Sequence, residues 1–121
     1  MVVRGNKIER IADSVQAEAG AKVIDGTGKV LMPGLIDAHW HAMFASVPIN
    51  VAMNSDRAFV VLAAGAEATR TLMRGFTTVR DMGGASFGLK RAIDEGVLSG
   101  PRIYPSGAVI TVTSGHGDFR Q

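Results

Sequence analysis

The sequence predicts an α/β fold with parallel strands, entered through a short all-β segment. Three observations predict it. After Pro33 the pattern runs strand, helix, strand, helix, strand. Before Pro33, short β-prone runs alternate with tight-turn residues. Between the two regions a compact apolar run, Gly34-Leu35-Ile36-Asp37-Ala38, ends in His39-Trp40-His41.

Residues 1–32 read as a small β-meander. Met1–Arg4 and Lys7–Ile11 flank Gly5-Asn6, a pair suited to a hairpin turn. Asp13–Gly20 is polar and Ala-rich and reads as a loop. Ala21–Ile24 and Lys29–Met32 read as two more strands around Asp25-Gly26-Thr27-Gly28.

Pro33-Gly34 breaks the pattern. The run that follows suits a parallel strand covered on both faces. Ala42–Asn54 reads as a loop with Pro48 inside it. Asn54-Ser55-Asp56 offers helix-capping oxygens, and Arg57–Arg74, rich in Ala, Leu and Val, reads as a helix closed by Gly75. The Met and Ala content of residues 58–73 is helix core. Phe76–Arg80 is β-branched and reads as the next strand. Ser86–Glu95 gives a second helix, closed by Gly96, and Pro101–Gly107 a third strand. Thr113–Asp118 is a polar loop. Alternation of this kind implies parallel strands joined by crossovers, but does not decide between a barrel and an open sheet.

Composition narrows the function classes. Thirteen Lys and Arg stand against 11 Asp and Glu, a formal charge of +2, and no run of like charge occurs. Nucleic acid and anionic membrane surfaces are therefore not the expected partners. Aromatics make up only 6%, too few for a base-stacking platform. With no cysteine, disulfides and thiolate metal sites are excluded; any metal must sit on His, carboxylate or a modified side chain. The N-terminus lacks an apolar core of signal-peptide length. The most apolar stretch, Ala58–Ala66, falls far short of the roughly 20 residues of a membrane span. The expectation is a soluble, cytoplasmic chain.

His39 and His41 carry the sharpest chemistry. Residues i and i+2 of a strand share a face, so two imidazoles at a strand end can grip one metal ion. In parallel α/β folds that end is where sites gather, and neutral imidazole is the usual zinc ligand. Trp40, between them, points the other way and reads as core.

The run Lys29-Val30-Leu31-Met32-Pro33-Gly34-Leu35-Ile36-Asp37-Ala38-His39-Trp40-His41 resembles the first barrel strand of the amidohydrolase superfamily. Arg74-Gly75-Phe76-Thr77-Thr78-Val79-Arg80-Asp81 resembles the second strand of its imidazolonepropionase-like and dipeptidase branch. Gly100-Pro101-Arg102-Ile103 and Ser114-Gly115-His116-Gly117-Asp118 resemble the third strand and following loop of prolidase-like and carboxypeptidase-like members. The resemblance covers essentially the whole chain.

This resemblance implies the N-terminal part of a metal-dependent (β/α)8 TIM-barrel hydrolase, preceded by part of a small β-sandwich. The implied domains are residues 1–32, a partial β-sandwich, and 33–121, the first three β/α units of an incomplete barrel. It makes His39 and His41 metal ligands for one or two zinc ions. Asp37 and Asp81 become supporting carboxylates, with Asp81 fixing a loop rather than ligating. His116 becomes a substrate or transition-state contact, or an ordinary loop histidine. Arg80 forms an internal ion pair or recognises a substrate carboxylate.

Family members complete the metal site with a carboxylated Lys on strand four, His residues on strands five and six and an Asp base on strand eight. The lysines present here (Lys7, Lys22, Lys29 and Lys90) lie outside such a position. The expectation is a fragment, a truncated gene or one piece of a longer or nicked protein, inactive alone. It would pair with itself as a homo-oligomer or with the remainder of the barrel. The implied reaction is hydrolysis of an amide or dipeptide by metal-activated water. Cyclic-amide opening, a non-catalytic metal-binding remnant and a self-associating remnant stand as alternatives.

Overall fold

The computed structural model describes residues 1–118. The last three positions of the second expected domain lie outside the described residues. The chain divides into two compact units, Met1–Met32 and Pro33–Gln121.

The first unit holds one antiparallel hairpin, β1 (Val2–Arg4) and β2 (Lys7–Arg10). Gly5 takes φ +61° at the turn, a conformation that suits glycine. The expected turn at Asp25 also forms. The Thr27 backbone N–H and hydroxyl both donate to Asp25 Oδ1, at 2.9 and 2.6 Å. The two strands expected around it do not form. Ile24 and Val30 stand 80% and 90% exposed. A β-prone run becomes a strand only where a partner covers one face, and Ala21–Ile24 and Lys29–Met32 have no such cover among the described residues.

In the second unit three parallel strands lie in the order β3 (Leu35–Trp40), β4 (Phe76–Asp81), β5 (Arg102–Pro105). The architecture is mixed α/β, as the alternation predicts. The sheet is open, with β3 and β5 as its edges. Ile36 and Tyr104 stand exposed on these edge strands.

Ala42–Asn54, expected as a loop, instead folds into α1 (Ala42–Ser46) and α2 (Ile49–Asn54). Neither has a side-chain cap, and helices this short do not form on propensity alone. Packing decides: α1 lies on the following long helix and buries Ala42 and Met43. Pro48 is the N-cap of α2 and marks its start.

The long helix, α3 (Arg57–Met73), starts where Asp56 accepts from the N–H groups of Ala58 and Phe59. It ends before Gly75, at φ +97°. Val60, Ala64, Ala68 and Thr71 form its buried stripe at helical spacing. α4 (Phe87–Asp94) contributes Leu89. These helices cover one face of the sheet, so the core joins Trp40, Val79 and Ile103 to Met43, Val60, Ala64, Ala68 and Leu89.

Candidate metal centre

The strand β3 is irregular where it reaches the two histidines. Its pairing with β4 steps from Asp37↔Val79 to Trp40↔Asp81, three residues against two. A bulge of this kind leaves an extra residue and turns the local chain. Beyond it Trp40 enters the core at 6% exposure, while His39 stays exposed and His41 half-buried. The rings meet with His39 Nε2 and His41 Nε2 3.2 Å apart and ring planes at 67°.

Hydrogen bonds of ordinary length pin the strand end. The His39 backbone N–H donates to Asp37 Oδ1 at 3.0 Å. The Met82 N–H donates to the Trp40 carbonyl at 2.9 Å. Asp81 is buried and uses both oxygens: Oδ2 accepts from the Ala42 N–H at 3.1 Å, Oδ1 from the Gly83 N–H at 3.1 Å. His41 Nδ1 faces the Gly83 carbonyl at a long 3.5 Å. A proton on Nδ1 aimed there leaves the Nε2 lone pair directed at His39. Gly83 suits this place because a side chain would strike Val109: an added Cβ would lie within 2.4 Å of Val109 Cγ2.

Of the sequence-predicted residues, Asp37, His39, His41 and Asp81 thus gather at the C-terminal end of β3 and β4. Arg80 joins them by an unexpected contact. Instead of an ion pair among the described residues, its Nε donates to the Ala38 carbonyl at 2.7 Å. His116 is exposed in a loop where the Ser114 N–H donates to Asp118 Oδ2. No hydrogen bond among the described residues joins it to His39 or His41. Its neighbour Gly117 packs on Val109, which in turn packs on Gly83 beside His41. Sequence reasoning missed the carbonyls of Ala38 and Gly83. Backbone groups leave no side-chain signature, although Gly83-Gly84 directly after Asp81 marks where the chain passes close.

The donor set fits part of a metal site. Two imidazole nitrogens each about 2.0–2.1 Å from one ion and 3.2 Å apart subtend roughly 100–106°, near the roughly 109° of a tetrahedron. Among the described residues no group of three or more His, Asp or Glu is placed to hold a metal ion. A separate concavity of about 580 Å³ lies in the first unit, lined by residues such as Arg4, Asp13 and Glu18, and includes none of the histidines.

A model of the amidohydrolase family matches residues 30–120. The chain belongs to the amidohydrolase family. It is thereby a member of a family of enzymes that are generally metal-dependent. This amidohydrolase chain is 38% identical over 95 residues to ochratoxinase of Aspergillus niger, covering 74% of the chain and 19% of that protein. It is 40% identical to the crystal structure of a prolidase complexed with N-methylphosphonate-L-proline, with a TM-score of 0.77, over 89% of this chain and 26% of that one. A Xaa-Pro dipeptidase with methionine bound in its active site superposes with a TM-score of 0.60 at 37% identity, over 71% of this chain and 22% of that one. The chain therefore spans about a fifth to a quarter of the length of these relatives. Among the described residues, no helix is long and apolar enough to cross a membrane.

Proposed function

We propose that this chain supplies the first metal-binding strand of a hydrolase acting on carbon–nitrogen bonds, with an amide or dipeptide as substrate. The observation that carries the reading is the facing pair His39 Nε2 and His41 Nε2, 3.2 Å apart at a strand end. The kinship with a prolidase and a Xaa-Pro dipeptidase supports cleavage beside a C-terminal amino acid. The cofactor is zinc, one or two ions. In full form the fold is a (β/α)8 barrel with residues 1–32 as part of a β-sandwich.

A divalent ion at this place supplies Lewis-acid activation of water and of the scissile carbonyl. The chain's own residues do the rest of what can be assigned. His39 and His41 hold the ion through Nε2. Asp37 and Asp81 hold the backbone that carries them. His116 contacts the substrate or its reacting oxygen from the neighbouring loop. A catalytic zinc usually takes three protein ligands, so at least one donor comes from outside the described residues. It would come from the remainder of the barrel or from a second copy, and a single chain with neither would then be inactive.

The test is release of free amino acid from a panel of Xaa-Pro dipeptides and N-acyl amino acids, with added zinc and with chelator. Zinc-dependent release, lost with chelator, supports the reading. Substitution of His116 should then lower release while leaving zinc affinity intact. Zinc binding with no release from the panel, but opening of a cyclic amide, would replace peptide cleavage by ring opening. Zinc binding with neither reaction would leave a binding-only remnant.

A further inference from the structure

We infer that Arg80 is a positioning residue for the histidine pair, rather than the internal ion-pair partner that its charge suggests. The inference takes its consequence for metal binding from the proposed function; its geometry stands apart from that reading.

The strand β3 is bulged opposite Arg80. Between Asp37↔Val79 and Trp40↔Asp81, Ala38 and His39 face a single residue of β4, which is Arg80. A bulge disrupts the local ladder and frees backbone polar groups there for other partners. Side chains provide them. Arg80 Nε takes the Ala38 carbonyl at 2.7 Å, and Asp37 Oδ1 takes the His39 N–H at 3.0 Å. The peptide unit joining Ala38 to His39 is thereby held at both ends, its oxygen by a cation and its N–H by a carboxylate.

On the other side of the pair Asp81 holds the Ala42 N–H. Arg80 is exposed and Asp81 buried, so the two neighbours leave β4 on opposite faces. They grip the His39-Trp40-His41 run before its first residue and after its last. A guanidinium suits the Arg80 place because its Nε–H is fixed in the plane of a rigid fork. Arg80's Nε donor is already committed to the protein's own backbone.

The experiment compares the full chain with Arg80→Met, which keeps length and loses the donor, and with Arg80→Lys, which keeps a donor. Two readouts are taken: backbone amide exchange in metal-free protein, and Co2+ titration followed by its visible spectrum. The expected result for Arg80→Met is exchange at His39 about tenfold faster, with Val79 and Ile103 unchanged. Its Co2+ affinity should fall about tenfold, the low end for loss of a group that orients a ligand. Arg80→Lys should recover part of both. Unchanged exchange at His39 would overturn the inference whether or not metal binds. Unchanged Co2+ affinity, in a chain whose unsubstituted form binds Co2+, would also overturn it. Faster exchange at His39 in a chain that binds no Co2+ would uphold the positioning role and sink the metal reading instead.

Discussion

Asp81 Oδ2 accepts the backbone N–H of Ala42 at 3.1 Å, tying the end of β4 to the residue just past His41. Its other oxygen holds the Gly83 N–H, also at 3.1 Å. One buried carboxylate therefore fixes both backbone segments that flank the His41 ring.

Removing it should be costly. Asp81→Ala leaves two buried N–H groups without acceptors, and the second unit should lose about 3 kcal/mol. Asp81→Asn keeps one acceptor and should lose about half as much. Urea unfolding followed by Trp40 fluorescence reads both, because this is the sole tryptophan and is 6% exposed in the core. Equal stability of Asp81→Ala and the unsubstituted chain would show that the two hydrogen bonds carry no weight.

Glu67 gives α3 a pH-dependent contribution. Burial raises its carboxyl pKa, but hydrogen bonds from Arg74 and Arg70 lower it further, leaving it below the ordinary 4.5. A lowered folded-state value means stability that is complete above about pH 4.5 and fades as pH falls toward that value. Both arginines are more than half exposed, so the effect is modest, about 1 kcal/mol. Glu67→Gln should lower the melting temperature at pH 7, and the gap should close as pH drops below 4. A gap that stays constant to pH 3 would count against the pairing.

Gly34 marks a close approach of the chain where it enters β3. A Cβ there would lie 2.1 Å from Thr77 Oγ1 and 2.6 Å from Thr77 Cβ. Gly34→Ala should cost about 2 kcal/mol through overpacking. The same substitution in a Thr77→Gly background should cost less than half of that, because the obstructing atoms are gone. Equal costs in the two backgrounds would mean that Thr77 is not the obstacle.

Much of this arrangement is legible in the sequence, and for identifiable reasons. Asp56 and Gly75 delimit α3 with side-chain and glycine chemistry that acts locally. The β-branched Thr77-Thr78-Val79 run lies in β4. The histidine pair is legible because period two places i and i+2 together. The missed features depend on distant contacts. α1 and α2 arise from packing on α3, and the strands expected at Ala21–Ile24 and Lys29–Met32 fail for want of a covering partner among the described residues. The Arg80 to Ala38 bond follows from a register step between strands 42 residues apart, which no local pattern encodes.

The central claim is that His39 and His41 together bind a divalent metal. Zinc titration calorimetry on chelator-treated chain, beside the His39→Ala/His41→Ala double variant, tests it most directly. The account predicts zinc binding by the unsubstituted chain and a loss of at least a hundredfold in affinity in the double variant. Equal zinc affinity in the two proteins, or none in either, would contradict it.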